Sequence, residues 1–324
     1  MFSEYKINKR SYIQDEGAIE PDKNYLFDLA YLSSLSVKGE RAAEFLQGQL
    51  SCDLSKVCAT TIQQGVMCNL QGRVLAIFDL IDWQGFKMIL PKDMLRKTMA
   101  SLQQTALLSR VQLEQESSYQ IYGLYLTNLN DLLPANIQLP SAPFSLAGQE
   151  NVCCYSQSKS FYLLFIRPED APALREPFMA KKQLRASLAW HRLKLMHNAI
   201  EIYPDTRGIF LPHRLDLHLS GHLCFDKGCY KGQEIIARTH YRAKLKHGLR
   251  CFMIETEEPL HAGKKLFDLT GKNEIGELID YCPLGSKRFL AAFTILNEHP
   301  DCGILESHST ALKLEPFDNY CIHH

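Results

Sequence analysis

The pattern of apolar and polar positions switches between strand-like and helix-like runs over the first three quarters of the chain. Apolar residues recur three or four apart over residues 40–50, 94–108 and 172–196, which predicts helices. The strand-like runs are residues 25–29, 32–37, 66–70, 74–81, 86–90, 111–113, 121–126 and 161–166. Turns and hairpin-like connections separate these runs, so the pattern predicts an α+β fold.

After His247 the pattern changes to short alternating segments without a helical run. The segments are residues 249–254, 265–269, 275–281, 289–296 and 311–314. Turn residues such as Gly263, Gly271 and Gly285 separate them, which is the spacing of a small β-barrel or sandwich. We therefore predict two domains, residues 1–246 and a C-terminal barrel at 247–324. Residues 1–24 are expected to be loosely docked, and residues 128–150, rich in Pro, Asn and Ser, to form an irregular connection.

Composition narrows the class of protein. The 324 residues are 46% hydrophobic and have a formal net charge of zero, as expected for a soluble globular protein. A net charge of zero argues against nonspecific nucleic-acid binding over the whole surface. It does not argue against a local basic patch. The polar N-terminus and the lack of a long apolar run predict no signal peptide and no membrane association. Eleven cysteines without a Cys-x-x-Cys pair favour reduced thiols and a cytoplasmic location.

The strongest chemical signal is the stretch Asp-Lys-Gly-Cys-Tyr-Lys-Gly-Gln-Glu at residues 226–234. It places Cys229 between Lys227 and Lys231, just before an apolar-periodic run that starts at Ile235. Positive charge and the free amides of a helix N-terminus favour the thiolate, which is the nucleophilic form. Cys229 is therefore the candidate catalytic residue. The alternative is a structural cysteine in a tight turn.

The spelling Lys-Gly-Cys-Tyr-x-Gly-Gln-Glu resembles the signature of the YgfZ family, folate-binding proteins related to the T-protein of the glycine cleavage system. The flanking segments Phe210–Pro212 and Ile236–Arg238 fit the same signature. A second, distant point of resemblance is the strand-turn-helix segment at 35–50, followed by Asp53, which is similar to the opening module of both groups. Together the resemblance covers about residues 25–315.

This resemblance implies a fold and a role. Two packed α+β modules would form a plate with a central hole that receives tetrahydrofolate, and a C-terminal barrel would follow. The implied role is the maintenance of iron–sulfur enzymes, including enzymes that modify tRNA, with Cys229 as the essential residue. The implied partners are therefore folate and such iron–sulfur proteins.

The chemistry of a folate suggests which residues contact it. Its pterin ring presents N–H donors, which Gln233 or Glu234 can accept, and its anionic tail needs basic partners such as Arg238 and the run at 238–250. Lys227 and Tyr230 of the same motif complete the predicted folate-binding set. The alternative is that Glu234 and Arg238 form only a helix-surface ion pair, worth about 0.3–0.5 kcal/mol.

Two departures from the resemblance weaken the expected folate site. T-proteins carry an aspartate after the first hairpin turn that aminomethyl transfer needs, whereas this chain has Ala76 and Ile77, and its nearest acid, Asp79, is out of step. T-protein activity is therefore not expected, and whether the chain is an enzyme stays open. The family's acidic turn near residue 190 is replaced by Met196-His197-Asn198, which removes a glutamate from the expected pterin end.

Three further interpretations stay open or are disfavoured. His213, His218, His222, Cys224 and Cys229 cluster in sequence, but their spacing matches no standard zinc pattern, so we predict no metal site. The alternatives to a folate-dependent accessory protein are a folate-dependent one-carbon transferase and a noncatalytic module. The latter would bind RNA or a protein through residues 238–250.

Overall fold

The structure is a computed structural model that describes residues 11, 19–20, 22–127, 133–134, 137–285 and 287–317. Most of the N-terminal segment expected to be loosely docked, and part of the predicted irregular connection at 128–150, lie outside these residues. Among the described residues, no helix is both long and apolar enough to cross a membrane.

Strands and helices are interspersed over residues 25–242. The N-terminal part contains β1 (Tyr25–Asp28), β2 (Leu32–Lys38), α1 (Ala42–Gln49), β3 (Gln63–Cys68), β4 (Val74–Asp82), β5 (Phe86–Pro91), α2 (Lys92–Leu108), β6 (Gln112–Glu116) and β7 (Gln120–Tyr125). The middle part contains β8 (Leu146–Gly148), β9 (Val152–Ser156), β10 (Phe161–Ile166), α3 (Ala171–Ala180), β11 (Leu184–Arg185), α4 (Ser187–Met196) and α5 (Gln233–Arg242). Short 3-10 turns lie at Leu54–Lys56 and Pro212–Leu215.

These strands form two sheets. All strands of one sheet lie, in sequence, between two neighbouring strands of the other. The five-stranded antiparallel sheet has the order β3-β4-β5-β2-β6, and all its residues fall between β1 and β7. Strands β1 and β7 pair directly in the six-stranded sheet, whose order is β11-β1-β7-β10-β9-β8. The predicted α+β class is confirmed, because helices pack against both of these mainly antiparallel sheets.

The C-terminal residues form a third, seven-stranded sheet. Its strands are β12 (His247–Glu255), β13 (Lys265–Phe267), β14 (Glu274–Gly285), β15 (Arg288–Leu296), β16 (Cys302–Leu305), β17 (Ala311–Lys313) and β18 (Glu315–Pro316). The order is β17-β16-β13-β14-β15-β12-β18, so the two edge strands are separated by one residue in sequence. One bent segment therefore supplies both edges, and the sheet curls into a half-barrel, in agreement with the small barrel predicted for this part of the chain. The division of the chain at residue 246 stays a prediction.

The barrel shares an apolar core with the five-stranded sheet and α1. Cys251, Ile279 and Leu290 of the barrel belong to the same buried cluster as Leu35 and Phe45. A second cluster, around Trp190 and Phe165, fills the space between the two other sheets. Gly123 lies where a Cβ would come within 2.7 Å of the Trp190 ring, so the lack of a side chain lets α4 approach the six-stranded sheet.

A buried carboxylate connects the barrel to α4. Asp280 of β14 is fully buried, and its Oδ1 lies 2.9 Å from His191 Nε2 of α4. The Tyr203 hydroxyl donates to the same oxygen, and the Glu201 amide donates to Oδ2 at 3.1 Å. Burial alone would raise the pKa of Asp280, but the charge on His191 and these hydrogen bonds hold it below its usual value. The ionised carboxylate thus joins three separate segments.

We predict that Asp280→Asn lowers the free energy of unfolding by about 3–5 kcal/mol, because the buried His191 would lose its counter-charge. Denaturant unfolding of the two proteins measures this difference. Asp301→Asn, at an exposed position of the same barrel, is the matched control and is expected to change stability by less than about 0.5 kcal/mol. Equal stability of Asp280→Asn and the wild type would contradict a structural role for the carboxylate.

Candidate functional site

A cavity of about 640 Å³ opens where the three sheets meet. Its walls come from β4, β5, β10 and α4, from the segment 197–202, from the segment 215–222, and from the start of β12. The apolar wall includes the aromatic side chains of Tyr31, Phe78, Phe144, Phe161 and Trp190. The polar wall includes Gln64, Asp79, Gln157, Lys194, Glu201 and His222. A mostly apolar pocket with a few convergent polar groups is the usual form of a small-molecule site.

Asp79 is a hydrogen-bonded carboxylate of the polar wall, which also contains Glu201. It lies near the end of β4 and is only 5% exposed. Its Oδ1 accepts a hydrogen bond of 2.8 Å from Gln64 Nε2, and its Oδ2 accepts one of 2.9 Å from the Tyr155 hydroxyl and another from Gln157 Nε2. Burial raises the pKa of Tyr155, and the negative charge of Asp79 adds to this effect. These three donors fix the carboxylate in the cavity wall.

Lys194 supplies the cation of the same wall. Its Nζ donates to Gln157 Oε1 at 2.7 Å and lies 5.0 Å from the centre of the Phe161 ring. Enclosure in the cavity lowers the pKa of Lys194, and the carboxylates of Asp79 and Glu201 oppose this effect. Gln157 therefore bridges Asp79 and Lys194, so that the two opposite charges share one amide.

His222 completes the group of titratable side chains. Its Nδ1 lies 2.9 Å from the Ser220 hydroxyl. Burial lowers the pKa of His222 to about 4, while Asp79 raises it and Lys194 lowers it by smaller amounts. The imidazole is therefore neutral at physiological pH and presents both a hydrogen-bond donor and an acceptor.

The cysteine motif forms a loop that packs against α1 and against the β3–β4 turn. Cys229 in this loop is exposed. Gly232, with φ of +85°, caps the N-terminus of α5, and a Cβ there would overlap the carbonyl oxygen of Asn69 in the β3–β4 turn. The glycine thus lets the loop pack directly against that hairpin turn.

Lys227, which the sequence predicts to contact the cofactor, holds the end of α1. Its Nζ donates to the carbonyl oxygens of Gln47, Leu50 and Cys52 at 2.7–2.8 Å. These carbonyls include unpaired acceptors at the helix C-terminus, where a cation is favoured. The lysine therefore has a structural role that the sequence pattern did not indicate.

The other predicted folate contacts remain in or near the loop. Tyr230 is buried, and Lys227 Nζ lies 5.1 Å from the centre of its ring. Gln233 Oε1 accepts a weak hydrogen bond of 3.4 Å from the Tyr230 amide. Glu234 and Arg238 are both exposed on α5.

None of the six predicted site residues lines the cavity. The loop lies at the turn end of the β3–β4 hairpin, whereas Asp79 lies five residues further along β4 than Val74, roughly 17 Å at the rise of a strand. The structure thus separates the exposed thiol from the cavity. Ile77 and Asp79 are two residues apart on one strand and therefore share a face, and both line the cavity.

The histidine-rich stretch divides between two places. His222 faces the cavity, whereas His213 and His218 pack together with ring centres 4.8 Å apart, next to His240. Among the described residues, no group of three or more His, Cys, Asp or Glu side chains has the arrangement of a metal site.

The chain is similar in sequence to proteins named tRNA-modifying protein YgfZ. That of Colwellia psychrerythraea is 23% identical over 78% of this chain and 78% of its own length. That of Edwardsiella ictaluri is 27% identical over 72% of each chain. No family model matches the chain.

The fold is similar to that of a solved structure, glycine cleavage system aminomethyltransferase T from Bartonella henselae. The two superpose with a TM-score of 0.70 over 91% of this chain and 86% of that one, at 17% identity, which shows a common fold. The two comparisons confirm the resemblance inferred from the cysteine motif and the strand-turn-helix segment.

The lowered pKa of His222 predicts a loss of stability in mild acid. Between pH 6.5 and about 4 the unfolded chain binds a proton at this residue and the folded chain does not, so stability falls as the pH falls through this range. At pH 5 the effect is roughly 1–2 kcal/mol, since each pKa unit corresponds to about 1.36 kcal/mol.

Denaturant unfolding at pH 7 and pH 5 measures this loss. We expect His222→Gln to lose less stability between the two pH values than the wild type loses. His261→Gln, at an exposed position, is the control and should follow the wild type. An identical pH dependence in all three proteins would show that His222 is not held neutral.

Proposed function

We propose that this protein is a folate-binding accessory protein that supports iron–sulfur and tRNA-modifying enzymes. Tetrahydrofolate is proposed to bind in the 640 Å³ cavity, and Cys229 is proposed to act from the exposed loop. The observation that carries the proposal is the cavity, which is lined both by aromatic side chains and by a carboxylate that three hydrogen bonds fix. Its volume falls within the range of about 300–1,000 Å³ typical of small-ligand sites.

Asp79 is the proposed acceptor for the N–H groups of the pterin. An ionised carboxylate offers about four lone-pair positions, and three protein donors already use some of them. About one position therefore remains for a ligand donor. Because Asp79 lies two residues beyond Ile77, the pterin would sit roughly 7 Å further along β4 than a carboxylate at position 77 would hold it.

The tail of the folate is proposed to leave the cavity beside Arg250. This residue lines the cavity, is exposed, and lies 3.8 Å from Asp216 in a loose ion pair. A guanidinium at the mouth suits the carboxylates of the tail, because it binds them in a planar, two-pronged geometry. Arg250 belongs to the basic run at 238–250, whereas Arg238 does not line the cavity.

Cys229 is proposed to act on a partner protein rather than on the folate. The thiol is exposed, and the loop that carries it is fixed by Gly232 against the β3–β4 turn and by Lys227 against α1. An accessible thiol on a fixed loop can meet a large partner, which cannot enter the cavity. Bound folate would then affect the cysteine loop through the β3–β4 hairpin. Strand β4 of this hairpin forms part of the cavity wall, and its turn packs against the loop.

A folate-dependent one-carbon transferase is the second candidate function. The observation that favours it is the carboxylate of Asp79 in the cavity, which can orient a folate nitrogen although the position of the T-protein aspartate is apolar. Formation of methylene-tetrahydrofolate from an aminomethyl donor distinguishes the two. Turnover that Asp79→Asn abolishes would favour the transferase, and no turnover favours the accessory protein.

We predict that Asp79→Asn weakens tetrahydrofolate binding about tenfold or more, since a hydrogen bond to a charged group contributes about 1.5–3 kcal/mol. Calorimetric titration with reduced folate measures the affinity, and thermal unfolding checks that the variant is folded. Asp82→Asn, on the same strand but outside the cavity lining, should bind like the wild type. Unchanged affinity of Asp79→Asn would argue against the proposed pterin contact.

We predict that Cys229→Ser keeps the folate affinity of the wild type but fails to restore iron–sulfur enzyme activity in cells that lack the protein. The reason is that the thiol lies outside the cavity and is proposed to act on a partner. Cys58→Ser removes another exposed thiol and should restore activity fully. Full restoration by Cys229→Ser would exclude any role for the thiol.

A further inference from the structure

We propose that a second, basic cavity and the aromatic surface beside it bind single-stranded nucleic acid. The cavity measures about 250 Å³ and lies between the Pro212–Leu215 turn, the end of α5 and the start of β12. Together with two leucines, its lining residues are His213, Arg214, Thr239, Lys244, Lys246 and His247. We call this cavity the basic pocket. It shares no lining residue with the folate cavity.

The basic pocket carries positive charge that the protein neutralises only in part. No carboxylate is among its lining residues, all of which the structure describes. Lys244 and Lys246 are exposed, and neither forms an ion pair with a described residue, whereas Arg214 pairs with Glu277 at 3.0 Å. Burial lowers the pKa of His247, and the charges of Arg214 and Lys246 lower it further, while the nearby carboxylate of Glu274 opposes them. An anionic group is therefore the favoured occupant.

His213 gives the pocket a buried donor without a partner. The side chain is 1% exposed, and neither ring nitrogen has a hydrogen-bond partner among the described residues. Buried polar atoms without partners are uncommon, because each costs free energy that a bound group would recover. A neutral imidazole carries one N–H, so a phosphate oxygen that enters the pocket can accept from it.

An aromatic surface adjoins the basic pocket. The ring of His240 lies 5.8 Å from that of His213 and stacks on Phe225 at 3.9 Å with an interplanar angle of 19°. Tyr241 packs edge-on against His240 at 4.9 Å and is 69% exposed. A large exposed aromatic ring beside a stacked pair offers a face on which an unpaired base can stack.

The combination of charge and exposed rings identifies the kind of partner. A phosphate pocket alone would suit any phosphate-bearing ligand, and a basic surface alone would suit an acidic peptide. Single-stranded nucleic acid is the partner that needs phosphate contacts and base stacking side by side, whereas the bases of a duplex are already stacked on one another. The inference is independent of folate binding, because it uses neither the folate cavity nor Cys229.

The test is the affinity of the full chain for a short single-stranded RNA, measured by fluorescence anisotropy over a range of salt concentrations. The variant Lys244→Ala/Lys246→Ala should bind at least about tenfold more weakly and show a salt slope smaller by about 0.7 for each lost phosphate contact. Lys92→Ala/Arg96→Ala removes the same charge from an exposed face of α2 and should bind within twofold of the wild type.

A second pair of variants tests stacking. Tyr241→Ala should weaken binding about fivefold to a hundredfold, whereas Tyr241→Phe, which keeps the ring, should bind like the wild type. The proposal is overturned if the two lysines matter no more than the control pair. It is also overturned if heparin competes as strongly as RNA and Tyr241→Ala has no effect, since the surface would then bind acidic polymers in general.

Discussion

The buried carboxylate of Asp280 is the interaction on which the arrangement of the cavity depends. It belongs to the barrel, and it contacts His191 of α4 and the segment that contains Glu201 and Tyr203. Both α4 and that segment contribute walls to the cavity. A single charged group thus sets the relative position of three walls, and it can do so in an apolar interior only because each of its oxygens is hydrogen-bonded.

The same physical rule accounts for the polar wall. Asp79 and Lys194 would each be costly in an enclosed space, but they share Gln157 and partly compensate each other's charge. His222 avoids the cost by staying neutral. The cavity therefore holds fixed donors and acceptors that need no reorganisation before a ligand binds, which favours recognition of a flat heterocycle with N–H groups.

Sequence periodicity predicted most of the fold, because the core elements follow their own local pattern. The strand at Phe161–Ile166 and the change to short strands after His247 appear as expected. Strands β8, β11, β16 and β18 were not predicted, since each has only two to four residues, too few to show a period, and β11 also pairs with the distant β1. Local pattern also places the helix that follows the cysteine motif, which begins at Gln233.

The candidate site was less predictable, since it is assembled from segments far apart in sequence. Asp79 is an acid between the apolar residues Phe78 and Leu80 of β4, a signal that the sequence offers, whereas α4 also contains His191 and Arg192, so Lys194 stands out less. Asp79 lies two residues beyond the position where the resemblance expects an aspartate, and a shift of two keeps a side chain on the same face of a strand. The motif, by contrast, drew attention to Lys227, whose role depends on helix carbonyls about 180 residues away in sequence.

The most direct test of the account is whether folate enters the cavity beside Trp190, whose ring lines it. Of the two tryptophans in the chain, Trp83 lies outside the cavity lining, so a Trp83→Phe variant reports on Trp190 alone. The account predicts saturable quenching of this emission by tetrahydrofolate, with the same midpoint as a calorimetric titration. Calorimetric binding that leaves the Trp190 emission unchanged would place the ligand elsewhere and contradict the account.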